Sequence, residues 1–265
     1  MTENSKVVKI INDEGIEYVD IRFTDPRGKL QHVTIMADQV DEDFLEEGFM
    51  FDGSSIAGWK SIDQSDMKLM LDSNSCYIDP FYAEKTLAIH CSIVEPDTGE
   101  AYDRDPRGTV QKAEAYLIAS GIGDLSYFGP EAEFFLFDDV RFSNSINKVS
   151  YEVDAADASW NTDADYEMGN MGHRPTLKGG YFPVNPTDAG QDIRSEMLST
   201  MKRMGMKVDK HHHEVGSCQH ELGLIFGSLT HQADELQKYK YVIHNVAHAY
   251  GKSATFMPKP IAGDN

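Results

Sequence analysis

The stretch GPEAEFFLF at residues 129–137 places two carboxylates immediately before an apolar run. Side chains two residues apart on a β-strand point to the same face, so Glu131 and Glu133 project together if residues 131–137 form a strand. Adjacent carboxylates repel each other, and burying both is costly unless a cation lies between them. The pattern therefore indicates either a divalent-metal site or a strand end whose two carboxylates are simply hydrated.

A second acidic segment, HHHEVGSCQHE, occupies residues 211–221. Glu214 and Glu221 are seven residues apart, so a straight strand would point them to opposite faces. Their convergence requires a bend, for which residues 216–217 are the candidate positions. The three consecutive histidines suggest zinc, but neighbouring strand residues cannot all face one ion, and Cys218 adds no paired thiolate. Four carboxylates on two strands suit a pair of magnesium or manganese ions, an arrangement that serves phosphoryl transfer.

The chain of 265 residues is strongly acidic, with a formal net charge of -20, and 40% of its residues are hydrophobic. It therefore has enough apolar material for a core, and its charge repels phosphate backbones and anionic lipids, so neither nucleic acid nor a membrane is expected as a partner. The three cysteines form no CxxC pair, and the N-terminus is too polar for a signal peptide. These features, with no apolar run long enough to span a bilayer, predict a cytoplasmic location.

Hydrophobic periodicity predicts two domains that meet at a polar break, residues 103–108. The first domain, residues 1–105, is expected to be a small sheet with little helix: strands at 18–23, 30–35, 67–71 and 86–94, helices at 5–14 and 44–47, and a loop at 51–66. The second domain, residues 106–265, is expected to contain helices at 109–120, 192–204 and 232–250 and strands at 131–137, 207–215, 221–226 and 254–257. Residues 138–175 are expected to be irregular, apart from some β-leaning residues near 151–153.

Three segments resemble known binding motifs but do not satisfy their requirements. Residues 251–253 imitate the end of a phosphate-binding loop, but Val246 stands where that motif needs glycine, and the segment follows a helix rather than opening one. Residues 121–123 are only a fragment of a dinucleotide fingerprint and also end a helix. His244 and His248 have metal-ligand spacing on one helix, but without an acidic partner they are interpreted as a solvated face.

Five groups of residues follow in order along the chain: FDGSS (51–55) with QSDMKL (64–69), GPEAEF (129–134), KGGYFP (178–183), HHEV (212–215) with QHE (219–221), and ATFMPKP (254–260). Together they resemble type I, bacterial, glutamine synthetase, from about residue 15 to the last residue. The resemblance implies ligation of ammonia to L-glutamate with ATP, through γ-glutamyl phosphate, in nitrogen assimilation.

The resemblance also implies roles for the four carboxylates. Glu133, Glu214 and Glu221 are then ligands of a magnesium or manganese ion beside the ammonium and glutamate sites. Glu131 is then a ligand of a second ion, beside the phosphates of ATP.

Three further residues are implied to take part in catalysis. Asp52 corresponds to the base that takes a proton from ammonium, with Ser55 nearby on a loop that reaches a neighbouring subunit's site. Tyr181 corresponds to part of the ammonium pocket. Ammonium at neutral pH is no nucleophile, and a carboxylate both attracts the cation and accepts its proton.

Substrate contacts are implied at three more positions. Asn265 corresponds to a glutamate contact, and Phe226 lies where the adenine pocket begins. Asp209 stands where some relatives carry a glutamate near the nucleotide.

The implied fold is α+β: a β-grasp-like N-terminal domain, then an incomplete catalytic domain whose antiparallel sheet packs with helices. The implied assembly is a homo-oligomer of two stacked hexameric rings. The family pattern continues beyond Asn265 with a histidine ligand and phosphate-binding arginines, so residues 1–265 alone are expected to be a truncated, inactive portion. Two alternatives stay open: a ligase for another amine or acid, against which the Asp52 loop argues, and a non-enzymatic metal-binding or subunit-interacting remnant.

Overall fold

The computed structural model of the chain describes residues 2–160 and 172–264. The chain forms two compact units, one of Met1–Phe128 with Gly227–Gln237 and the other of Gly129–Phe226 with Lys238–Asn265. The helices and strands of Met1–Phe128 are α1 (Glu3–Glu14), β1 (Tyr18–Thr24), β2 (Leu30–Met36), α2 (Glu42–Glu47), β3 (Phe49–Asp52), β4 (Asp66–Leu71), β5 (Tyr77–Ile78), β6 (Thr86–Val94), α3 (Pro106–Ser120) and β7 (Tyr127–Phe128). The remaining elements are β8 (Glu133–Phe137), β9 (Asp139–Ser145), β10 (Lys148–Asp154), α4 (Gln191–Arg203), β11 (Val208–His213), β12 (Gln219–Leu224), β13 (Gly227–Ser228), α5 (Leu229–Ala249) and β14 (Ser253–Thr255).

A mixed sheet with the strand order β2-β1-β6-β4-β3 forms the centre of the first unit, and β5 pairs with β6. β1 runs parallel to β6, whereas the other neighbouring strands are antiparallel. Val19 and Ile21 from β1 are fully buried in its apolar core, with Leu69 and Ile89 from the adjoining strands. The four strands predicted in this part of the sequence are confirmed, as is the α+β class.

The second face of β1 buries a charged network. Arg22 is 2% exposed and donates from Nε to Asp20 at 2.7 Å. Its two terminal nitrogens donate to Asp79 and to the Tyr77 hydroxyl, each at 2.5 Å. Thr34 adds a hydrogen bond to Asp20 at 2.6 Å. The buried guanidinium is therefore matched by two carboxylates, as burial of a charge requires.

Helix α3 begins at Pro106 rather than at the predicted Thr109. Asp105 accepts hydrogen bonds from the N–H groups of Arg107 and Gly108 at 3.1 and 3.0 Å, and Pro106 occupies the first turn. A capping carboxylate followed by proline favours the start of a helix. The polar segment that was predicted to be a break therefore contains the first turn of the helix.

An antiparallel sheet with the order β11-β12-β8-β14 forms the centre of the second unit. Helix α5 fixes this sheet through Tyr239, whose hydroxyl donates to the Ala132 carbonyl at 2.6 Å and accepts from Leu222 N–H at 3.2 Å. Both contacts lie beside the strands that carry the predicted metal ligands. Among the described residues, no helix combines the length and apolarity that crossing a bilayer requires.

The prediction of irregular structure at residues 138–175 is wrong for its first part. β9 and β10 form a regular antiparallel hairpin that runs from the Asp139–Asp154 pair to the Ser145–Lys148 pair. Every side chain of β9 and most of those of β10 are exposed. The signal was present, because Val149, Tyr151 and Val153 alternate with polar residues along β10, but the sequence analysis registered it only as β-leaning residues near 151–153. Residues 161–171 lie outside the described part of the chain.

Candidate metal centre

Glu133 is the first residue of β8 and lies directly opposite Glu221 on β12. Directly opposed residues on antiparallel strands project from the same face of the sheet, so the two carboxylates lie side by side. The strand begins at Glu133 rather than at the predicted Glu131, which lies exposed just before it.

The β11–β12 hairpin brings Glu214 and Glu221 together. Glu214 follows the last residue of β11, and its N–H donates to the Gln219 carbonyl at 2.8 Å. The N–H of Gln219 donates in turn to the Gly216 carbonyl at 3.2 Å, so the chain reverses within this short segment. The predicted bend therefore exists, in the form of a tight hairpin turn.

His212 belongs to the same cluster, although the sequence analysis gave it no role. Its Nδ1 lies 3.1 Å from Oε1 of Glu214, and its Nε2 lies 3.6 Å from Oε2 of Glu221. One ligand atom from each of these three residues lies within 4.8 Å of the others. A signal was present in the sequence, because His212 and Glu214 share a face of the strand predicted at 207–215.

The two other consecutive histidines make their contacts elsewhere. His211 accepts a hydrogen bond from Nε of Arg194 at 3.2 Å, and its Nε2 lies 3.1 Å from the Ser195 hydroxyl. Nε2 of His213 lies 2.9 Å from Oδ2 of Asp157. The three histidines therefore do not converge, in agreement with the argument against zinc.

Burial and mutual repulsion raise the pKa of two carboxylates in the cluster. Burial raises the pKa of Glu133, and the charges of Glu214 and Glu131 raise it further, against a hydrogen bond from Gln219. Burial likewise raises the pKa of Glu221; His212 acts in the opposite direction, and the neighbouring glutamates add to the increase. The carboxylates therefore share one environment with excess negative charge, which a bound cation would balance.

Asp157 supports the hairpin turn from the other side of the sheet. Its Oδ2 accepts a hydrogen bond from Cys218 N–H at 2.7 Å and also faces His213. Nδ1 of His213 lies 2.7 Å from the Glu214 carbonyl. Burial lowers the pKa of His213, but Asp157 and this carbonyl outweigh that effect, and the pKa is raised. Asp157 therefore connects both ends of the turn that positions Glu214.

Tyr181 lies beside the cluster. Its ring stacks on Phe182, with centroids 3.9 Å apart and an interplanar angle of 14°. Both rings meet His212 edge to face, at centroid distances of 5.8 Å for Tyr181 and 4.9 Å for Phe182. The structure thus brings Tyr181 together with the predicted metal ligands, through His212.

Gly180 allows the loop that carries Tyr181 to lie against the hairpin turn. The N–H of Gly180 donates to the Val215 carbonyl at 3.0 Å. A Cβ atom at this position would overlap both the Glu214 carbonyl and the His213 ring. The close approach of the two backbones therefore requires glycine.

The residues predicted to contact substrates lie outside the group of three whose ligand atoms converge. Asp209 lies on β11, and its carboxylate covers Gly223 of β12, where a Cβ atom would overlap it. Phe226 is 63% exposed and follows the end of β12. Asn265 falls outside the described residues, so its predicted glutamate contact remains a prediction.

Asp52 and Ser55 lie in the first unit. Asp52 ends β3, a strand that begins before the predicted loop and continues into it. Its Oδ1 accepts hydrogen bonds from the Ser54 N–H at 2.8 Å and from the Ser54 hydroxyl at 2.6 Å. These bonds lower the pKa of Asp52. Ser54 is therefore the serine that contacts Asp52, and Ser55 is exposed next to it.

Comparison with known proteins identifies the family. The family described as "Glutamine synthetase, catalytic domain" matches residues 103–265, and "Glutamine synthetase, beta-Grasp domain" matches residues 15–96. The chain belongs to the glutamine synthetase family. The β-grasp prediction for the N-terminal region is thereby confirmed, and every motif on which the resemblance rests lies within one of the two matched ranges.

Individual glutamine synthetases are similar over the whole chain. Glutamine synthetase of Cereibacter sphaeroides is 73% identical over 265 residues, which are 100% of this chain and 57% of that protein. Glutamine synthetase of Escherichia coli K12 is 56% identical over 260 residues, which are 98% of this chain and 55% of that protein. The Plasmodium falciparum glutamine synthetase structure has a TM-score of 0.92 at 28% identity and covers 100% of this chain and 52% of its own. The chain thus spans little more than half the length of these relatives.

Proposed function

We propose that the protein is a glutamate–ammonia ligase, which joins ammonia to L-glutamate with ATP through γ-glutamyl phosphate in nitrogen assimilation. The observation that supports this most directly is the convergence of Glu214, Glu221 and His212, with Glu133 opposite, in a chain of the glutamine synthetase family. A cluster of carboxylates suits phosphoryl transfer, because the cations that it holds neutralise phosphate charge.

Magnesium or manganese fits the donor set. The convergent group offers two carboxylates and one imidazole, the Glu133 carboxylate lies on the strand opposite, and oxygen-rich sites favour these ions over zinc. Glu133, Glu214 and Glu221 would hold one ion, and Glu131 would serve a second ion beside the phosphates of ATP. Bound ions would screen charge so that the anionic carboxylate of glutamate can approach an anionic phosphate.

The roles of Asp52, Ser55 and Tyr181 follow from the same proposal. Asp52 attracts ammonium and accepts its proton, which leaves ammonia as the nucleophile. The two hydrogen bonds from Ser54 support the first of these steps, because they favour the ionised form of Asp52, which attracts a cation. Ser55 belongs to the same loop, and Tyr181 contributes to the ammonium pocket.

Substrate binding is assigned to the remaining predicted residues. Asp209 contributes to the nucleotide site, and the exposed Phe226 ring offers an apolar face to adenine. Asn265 contacts glutamate.

We propose a homo-oligomer of two stacked hexameric rings, located in the cytoplasm, without nucleic-acid or membrane partners. The exposed β9–β10 hairpin supports assembly, because Phe142 and Val149 are 79% and 76% exposed, and exposed apolar groups of this kind mark interfaces. We also propose the domains 1–105 and 106–265, whose boundary at the start of α3 differs from that of the two compact units.

Activity is best tested on the protein as its gene encodes it, by measuring phosphate release from ATP with magnesium or manganese. Release is expected to require both glutamate and ammonium and to be abolished by Glu214→Gln. Glu46→Gln is the matched control, because this side chain is exposed on α2 and should tolerate neutralisation.

The outcomes separate the alternatives. Phosphate release that another amine or acid supports better than ammonium or glutamate would indicate a related ligase with a different substrate. Metal binding without any ATP turnover would indicate a non-enzymatic, metal-binding or subunit-interacting protein.

A further inference from the structure

Gln219 is a buried amide beside the carboxylate cluster. It is 1% exposed, and because it lies two residues before Glu221 on β12 it shares the face from which the glutamates project. Both ends of its side chain make hydrogen bonds. Oε1 accepts from Gly216 N–H at 2.8 Å, and Nε2 donates to Oε2 of Glu133.

The contact with Gly216 determines which way the amide points. A backbone N–H can only donate, so it selects the amide oxygen and turns the NH2 group towards Glu133. The opposite orientation would place the amide oxygen against a carboxylate and two N–H groups against each other. The backbone of the turn therefore imposes a donor on Glu133.

Glu133 needs such a donor. Glu214 and Glu131 both repel its carboxylate, and Glu133 stands at the exposed first position of its strand, where the side chain can move outwards into water. A hydrogen bond to Oε2 opposes this movement and leaves Oε1 as the oxygen directed to a cation. Buried polar groups that orient ligands in this way affect metal affinity strongly.

We propose that Gln219 is a positioning residue that holds Glu133 in the orientation needed to bind the divalent cation, an inference that rests on the proposed function. Asp157 supports the arrangement, because its bond to Cys218 N–H fixes the turn immediately before Gln219. Gln219 itself contacts neither substrate nor cation; it acts through Glu133.

The test is a double-mutant cycle on manganese affinity, measured from the electron paramagnetic resonance signal of free Mn²⁺ without ATP or glutamate. The variants are Gln219→Met, Glu133→Gln and their combination, in the protein as its gene encodes it. Gln219→Met is expected to weaken manganese binding about 10- to 100-fold when Glu133 is present. In the Glu133→Gln background it is expected to weaken binding less than about threefold, because the group that Gln219 orients has already been neutralised.

Gln191→Met is the matched control, because Gln191 is exposed at the start of α4 and should leave manganese affinity unchanged. Gln219→Asn replaces the methionine variant if that variant does not fold; it keeps the amide on a side chain too short to reach both partners.

The outcomes distinguish the two proposals. Absence of manganese binding by the unmodified protein would overturn the proposed cation site, and the role of Gln219 with it. Binding by the unmodified protein, together with less than a twofold effect of Gln219→Met, would overturn the positioning role alone. If Gln219→Met weakens manganese binding equally in the unmodified protein and in the Glu133→Gln variant, the positioning role is also overturned. That result would indicate general damage to the turn.

Discussion

Glu221 lies directly opposite Glu133 on one side and directly opposite His212 on the other, within three adjacent antiparallel strands. It is therefore the central member of a row of potential ligands on one face of the sheet. Glu131 precedes this row and is exposed. The four glutamates are consequently not equivalent, and cation binding should depend on them to different degrees.

Neutralising the central glutamate should weaken cation binding more than neutralising the exposed one. We expect Glu221→Gln to lower the affinity of the tighter manganese site at least about tenfold, or about 1.4 kcal/mol. Glu131→Gln should change that affinity by less than about threefold. Titration calorimetry measures both affinities. Equal losses for the two variants would contradict the larger contribution to cation binding that the central position of Glu221 predicts.

The buried carboxylate of Asp20 should make the first unit sensitive to acid. Burial acts to raise the pKa of Asp20, but hydrogen bonds from Thr34 and His32 and the charge of Arg22 outweigh it, so the pKa is lowered. A lowered pKa stabilises the folded state above the unfolded value of about 3.9, and the stabilisation disappears as the pH falls through the folded value. Asp20→Asn should therefore cost about 3 kcal/mol at pH 7 and progressively less below about pH 4.

Tryptophan fluorescence can follow this unfolding transition. The chain has two tryptophans, and Trp59 lies in the core of the first unit, so a Trp160→Phe background leaves one reporter there. Asp13→Asn, at an exposed position of α1, is the control. A difference between Asp20→Asn and its parent that stays constant from neutral to acidic pH would refute the assignment.

Gly223→Ala should affect nucleotide binding through Asp209. The added methyl group would overlap the Asp209 carboxylate, which lies at the end of a flexible side chain and can rotate away. We expect the protein to fold normally and to bind an ATP analogue about fivefold more weakly, the loss of about one hydrogen bond. Gly123→Ala is the control, because its methyl group would make only ordinary contact with Leu117. Full nucleotide affinity in Gly223→Ala, measured by calorimetry, would remove Asp209 from the nucleotide site.

The β9–β10 hairpin should contribute to assembly. Replacing Phe142 and Ile146 by serine removes two exposed apolar groups, each of which would contribute about 1.5–3 kcal/mol if fully covered by a partner. We expect a shift to smaller species in sedimentation velocity, whereas Asn147→Ser on the same hairpin should have no effect. An unchanged mass distribution in the double variant would show that other surfaces hold the oligomer together.

Much of the first unit could be predicted from its apolar segments and the polar turns between them. The strand at Thr86–Val94 has the predicted bounds, because its apolar residues are bounded by polar and turn-forming segments. Glu131, Glu133, Glu214 and Glu221 were selected by their spacing and by resemblance to the family. The sequence analysis was least successful at the β9–β10 hairpin, where it did not follow the alternation of Val149, Tyr151 and Val153 through to a strand.

The membership of the cluster depends on register, which no single segment of sequence specifies. His212 and Gln219 are each two residues from a predicted ligand, but their contacts exist only because the turn aligns β11 with β12 and β12 with β8. A shift of one residue in either pairing would turn these side chains to the other face. Spacing could therefore identify the glutamates, whereas the residues that support them needed the three-dimensional structure.

The close approach at Gly180 limits how this site can change over evolutionary time. A side chain at that position would meet two obstacles, the His213 ring and the Glu214 carbonyl. Substitution elsewhere can remove the ring, but every amino acid carries the carbonyl. A second mutation therefore cannot compensate for the loss of this glycine, and revertants should restore glycine itself rather than arise by suppression at position 213.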